Sequence, residues 1–211
     1  MTVIDLTQSM TNGMPLMEGI TPPSFRDLAE VAVDGYAMSE YTFVNHTGTH
    51  VDAPSHQIAG SLTLDEIPLD HLVTEALTID LSAHEPGAVG LDALGRYLPE
   101  VRRNDLVLLR SDNARNWGTD AYWHGWCYPD AVAANALIDA GVAGVGFDGP
   151  SADPIDSTDF ELHHVWLSAG AIILENLASL DQMPPRCRIV VAPLKVKAAN
   201  GSPARVFALL D

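Results

Sequence analysis

The chain has 211 residues, 47% of them hydrophobic and 18% charged, with 28 Asp and Glu against 11 Lys and Arg for a formal net charge of −17. This length and composition suit one domain, 1–211, with a sizeable core, and the acidic surface repels phosphate backbones and anionic lipid, which excludes nucleic acid and membranes as partners. Cys127 and Cys187 have no neighbours at metal-ligand spacing and the N-terminus shows no leader pattern, so a cytoplasmic protein without disulfides is expected.

In chain order, residues 41–45 read as a strand, followed by β-branched apolar runs at 76–81, 106–109, 142–147, 171–174, 189–192 and 206–210, each of strand length. Pro129-Asp130 opens a helix over 131–140 that Gly141 closes, so the flanking strands should be joined by a parallel crossover. Asn200-Gly201-Ser202-Pro203 reads as a turn. The expected fold class is α/β, a single domain with a mixed sheet.

His46, His50, Asp52 and His56 fall within eleven residues, and imidazole and carboxylate are the donors preferred by Zn²⁺, Mn²⁺ and Fe²⁺. Thr47, Gly48, Thr49 and Pro54 oppose a helix, so the motif is placed at a strand end and in the loop after it. An extended chain would hold His46 and His50 about 13 Å apart, and Gly48 is expected to bend it. Asp52 can reach the ion held by His50, while His56, beyond Pro54, is free to act as a proton shuttle. His71, His84 and His124 lack such company and are left unassigned.

A second cluster pairs His163-His164 with Glu175, which a straight helix would hold some 18 Å away at ~1.5 Å per residue. A helix ending near Ser168 and a turn at Gly170 would return Glu175, at a strand end, to the helix start. Trp117, Trp123, Trp126 and Tyr128 crowd one segment, where they either line an aromatic pocket or serve packing.

These residues resemble a known family, the bacterial cyclase-like metal hydrolases, which includes kynurenine formamidases (arylformamidases) and isatin hydrolases. The similarity runs from Ile4-Asp5-Leu6-Thr7 and Gly13-Met14-Pro15 through the string from His46 to His56. It continues through Val145-Gly146-Phe147-Asp148, Ser151, Asp153, Ala192-Pro193-Leu194-Lys195 and Ser202-Pro203-Ala204-Arg205. The resemblance implies a swivelling β/β/α fold, homo-oligomers, and a catalytic metal on His46, His50 and Asp52 with His56 in proton transfer. Its formamidase branch implies a second ion on His163 and Glu175, bridged by Asp52, with His164 as an outer neighbour. The Trp-Pro-Gly usual in formamidases is absent from Pro15-Leu16-Met17-Glu18-Gly19.

The expected function is hydrolysis of a C–N bond in an aryl formamide such as N-formylkynurenine, or in a cyclic amide, by metal-bound hydroxide. One or two divalent ions per chain are expected, zinc first and manganese as the alternative, with a small aromatic amide as substrate. The rivals are a polyketide-type cyclase or dehydratase and a non-catalytic metal-binding protein. The latter would recruit His56 as a ligand.

Overall fold

Alternate residues of the central apolar runs enter two different cores, and that division fixes the architecture. The structure, a computed structural model, describes residues 1–210. Its elements are β1 (Thr2–Asp5), β2 (Ser24–Ala29), α1 (Val31–Asp34), β3 (Met38–Thr42), β4 (His50–Asp52), α2 (Leu69–Leu72), β5 (Val73–Asp80), β6 (Gly87–Val89) and α3 (Leu91–Leu94). They continue with β7 (Leu106–Arg110), β8 (Cys127–Pro129), α4 (Ala131–Asp139), β9 (Gly144–Phe147), α5 (Glu161–Ser168), β10 (Ile172–Glu175), β11 (Arg186–Pro193) and β12 (Gly201–Leu210).

Eight strands form a mixed sheet in the order β1-β12-β11-β5-β7-β9-β10-β4, and β4 also pairs with β12, so seven of them close into a barrel. Strands β5, β7, β9 and β10 are mutually parallel, whereas β4, β11 and β12 join antiparallel. The crossover through α4 links the parallel neighbours β7 and β9, as the helix pattern predicts. Closure itself is not expected from local periodicity. Residues 200–203 depart from the expected turn: Gly201, Ser202 and Pro203 pair with β4, because β12 must reach that far to close the barrel.

Leu106, Leu108, Ile172, Leu174, Val51 and Val206 fill the barrel interior, while Val107, Leu109, Val145, Phe147 and Ile173 face outward beneath α4 and α5. This is the period-two division of a strand with a core on each face. Helix α4 begins at Asp130, whose carboxylate accepts the Ala133 N–H at 2.8 Å. Strands β2 and β3 pair only with each other, and Val31, Val33 and Tyr41 around them are exposed. Among the described residues no helix is long and apolar enough to cross a membrane.

Trp166 of α5 is fully buried in the outer core. Trp166→Ala is expected to cost about 3–5 kcal/mol of stability by leaving a cavity, measured as a lowered urea midpoint with an unchanged slope.

Candidate metal centre

Strand register assembles the site. In the antiparallel pair β4–β10, His50 lies opposite Glu175, Val51 opposite Leu174 and Asp52 opposite Ile173. Val51 and Leu174 point into the barrel, so the pleat sends His50, Asp52 and Glu175 to the outer face. His163, on α5, meets them there. Its ring is brought back to Glu175 by the end of α5 at Ser168 and a left-handed Gly170 at φ +80°.

His50 Nε2 stands 3.4 Å from Asp52 Oδ1 and 3.3 Å from Glu175 Oε2. His163 Nε2 stands 3.4 Å from Glu175 Oε1 and 3.7 Å from Asp52 Oδ2. Four donors held ~2.1 Å from one ion at tetrahedral angles are about 3.4 Å apart, so these spacings suit a coordination shell better than hydrogen bonds. The donor set therefore fits a divalent cation.

His46 precedes β4 in the expected bend. Gly48 takes φ +66°, and a Cβ there would meet Met14 Cε at 3.2 Å and Met10 Cγ at 3.3 Å. The bend brings the His46 and His50 ring centroids to 5.3 Å. His46 Nδ1 lies 2.6 Å from Asp52 Oδ1, and its ring covers Gly201, where a Cβ would stand 2.5 Å from His46 Cε1. His56 ends the short 3₁₀ turn Pro54–His56, its ring centroid 4.1 Å from that of His46 and 5.9 Å from that of His163. Ligand atoms of His46, Asp52 and His56 lie within 4.8 Å of one another, as do those of His50, Asp52 and Glu175, so Asp52 joins both groups.

Buried partners fix the rings. His50 Nδ1 is 2.8 Å from the Gly48 carbonyl, which can only accept, so Nδ1 carries the proton and Nε2 faces the carboxylates. Asn176 Nδ2 donates to the same carbonyl at 2.9 Å, and its Oδ1 accepts the Tyr122 hydroxyl at 2.7 Å. Asp153 Oδ2 lies 2.5 Å from His163 Nδ1, and its carboxylate accepts the N–H groups of Leu162 and His163 at the start of α5. The Ala152 N–H donates to Glu175 Oε1 at 3.0 Å. Sequence reasoning gave no role to Asp153, Asn176 or Tyr122. The one local signal was Asp153-Pro154 ahead of a histidine-bearing helix. His164 is not the outer neighbour expected of it: one residue on turns a helix by about 100°, and it is exposed.

Asp52 and Glu175 are 1% and 5% exposed. Burial works against their charge, but the facing histidines hold both below the usual carboxylate range, Asp52 well below. Burial likewise opposes the imidazolium of His50, which Asp52 and Glu175 nevertheless raise to about 9. Burial opposes that of His163 too, yet Asp153, Asp52 and Glu175 push it up to about 12. Without a cation, protons on these rings are the positive charge available to the two buried carboxylates.

A cavity of about 360 Å³ opens onto the cluster, with Leu16, Ile20, Val44, Trp123 and Phe160 among its apolar lining. Of the four aromatics for which pocket lining and packing were the alternatives, Trp123 lines this cavity and the other three pack elsewhere. Trp126 is buried with Nε1 donating to the Ser151 carbonyl, Trp117 packs on Tyr122, and Tyr128 sits beside Trp126.

The profile of a family described as putative cyclase matches residues 4–154. The kynurenine formamidase of Salinibacter ruber is 36% identical over 166 residues, 76% of this chain and 74% of the relative. Isatin hydrolase A from Ralstonia solanacearum has the same fold, with a TM-score of 0.89 and 27% identity over 100% of this chain and 92% of that one. A structure described as a predicted metal-dependent hydrolase from Bacillus stearothermophilus gives 0.81 and 29% over 98% and 97%. The chain belongs to the putative cyclase family, the cyclase-like metal hydrolases.

In the metal-free protein, the folded pKa of His50 lies above the ordinary 6.5. Its contribution to stability is therefore complete below pH 6.5 and is lost as pH rises through about 9. Urea denaturation with chelator present should show stability falling across that window, and His50→Gln should flatten the fall.

Proposed function

We propose that the chain is a metal-dependent amidohydrolase that opens a non-peptide C–N bond, that of an aryl formamide such as N-formylkynurenine or of a cyclic amide. The observation that carries this reading is the buried pair Asp52 and Glu175, faced by His50 and His163 at 3.3–3.7 Å. His46, His50 and Asp52 form one ligand set, and His163 with Glu175 a second that shares Asp52. Zinc is the favoured ion and manganese the alternative. The similarity to proteins named kynurenine formamidase and isatin hydrolase supports an aromatic amide as substrate.

A bound divalent cation supplies an acidified water and polarises the substrate carbonyl. The chain's own groups do the rest. His56 is half-buried, and burial lowers its pKa below 6.5, so it is neutral at pH 7 and can take a proton from the nucleophile and return it to the leaving nitrogen. Asp153 and the Gly48 carbonyl hold the His163 and His50 rings with Nε2 inward. Trp123 and Phe160 offer ring faces and edges to an aromatic substrate and help exclude water. We further assign the protein to the cytoplasm as a single catalytic domain and a homo-oligomer, the last supported by the exposed apolar side chains of the β2–β3 hairpin.

His50→Ala should abolish activity and bound metal together. His56→Asn should keep the metal, measured by elemental analysis, while lowering kcat by about 10²–10⁴-fold. Loss of metal from His56→Asn as complete as from His50→Ala would make His56 a ligand and support the non-catalytic rival.

Glu175→Gln is expected to lower the stoichiometry from two ions toward one and to slow turnover. A single ion in the unmodified protein at zinc saturation, with full activity retained by Glu175→Gln, would show the site to be mononuclear.

A further inference from the structure

The chain contains 11 Lys and Arg, and among the described residues none of them lines the cavity over the histidine–carboxylate cluster. Several are engaged elsewhere: Arg26 pairs with Glu40, Arg110 and Arg115 with Asp112, Arg186 with Asp105, and Arg205 with Asp5. Beyond the cluster the lining is mostly apolar, including Leu16, Met17, Ile20, Val44, Trp123 and Phe160. The polar exceptions carry no positive charge. They are Gln57, Ser151 and Asn176, and the Asn176 amide is already committed to the Gly48 carbonyl and the Tyr122 hydroxyl.

Once a carbonyl is seated at the cluster, the remainder of a substrate lies against this wall. A carboxylate carried there would shed water without gaining a counter-charge, which is costly in an apolar setting. An amino acid has no net charge for the protein's −17 to repel from a distance, so the penalty is the local one of desolvating its charged groups against this wall.

We infer that the pocket selects uncharged aromatic amides and discriminates against substrates bearing a carboxylate. Among the substrates proposed above, a neutral aryl formamide or a cyclic amide is therefore favoured over a formamide that is also an amino acid, such as N-formylkynurenine. The inference rests on the amidohydrolase reading for where the carbonyl sits, whereas the selection is a property of the lining itself.

Two ligands that share an aryl ketone separate the ideas. 2-Aminoacetophenone is neutral, and kynurenine adds an ammonium and a carboxylate. Calorimetric titration of the full chain at low salt should show the neutral ligand binding at least about tenfold more tightly. The ratio should persist at about 0.15 M ionic strength, because a local desolvation penalty is little screened by salt. Met17 is 39% exposed, so Met17→Arg should fold normally and bring the ratio down several-fold. Equal or tighter binding of kynurenine, or no binding of either ligand, would overturn the inference. Hydrolysis is scored separately with 2′-formamidoacetophenone and N-formylkynurenine, for which kcat/KM should follow the binding order. If the order of binding holds and neither these formamides nor a neutral cyclic amide such as isatin is cleaved, the amidohydrolase reading fails while the charge selection stands.

Discussion

Two carboxylates buried side by side with no Lys or Arg to neutralise them are the constraint on which this structure turns. Asp52 and Glu175 receive their ion-pair contacts from histidines alone, among the described residues. Positive charge must come from protons on those rings or from a cation, and the donor spacings suit the cation. The bend at Gly48, the register of β4 on β10 and the turn after α5 each serve to bring another donor to this pair.

Rigidity around the cluster comes from groups with two jobs. Asp153 accepts two backbone N–H groups at the start of α5 and also fixes the His163 ring, so one carboxylate sets both the helix and the histidine it carries. Asn176 bridges the Tyr122 hydroxyl and the Gly48 carbonyl, tying the aromatic segment to the bend that positions His50. The same segment supplies Trp123 to the cavity wall, which couples the shape of the substrate pocket to the geometry of the donors.

What could be read from the sequence follows the range of each interaction. His46, His50, Asp52 and His56 declare themselves because one short stretch of chain carries all four, and the helix at 131–140 because its start and stop residues are local. His163 and Glu175 are legible as a pair through the turn at Gly170, and the family spacing reinforces that pairing. Asn176 and Tyr122 act across contacts of 54 and 128 residues, which no local pattern encodes, whereas Asp153 reaches His163 over 10 and leaves a trace in Asp153-Pro154. The strand read at 41–45 lies instead at Met38–Thr42 (β3), whose five residues are all exposed and leave no alternation to detect. Barrel closure depends on a three-residue strand, too short to announce a partner on each side.

That three-residue strand is also the seam of the barrel. β4 joins β10 on one side and β12 on the other, and its partners lie more than a hundred residues away along the chain. A slip of one residue against β10 would turn Glu175 into the apolar interior and leave His50 facing Leu174 or Asn176. Completing the ring and completing the donor set are therefore one event, reached only after long loops have closed. An ion bound by groups from both sides of the seam would act as a clasp on the barrel, and occupancy of the site would then be thermodynamically linked to integrity of the fold.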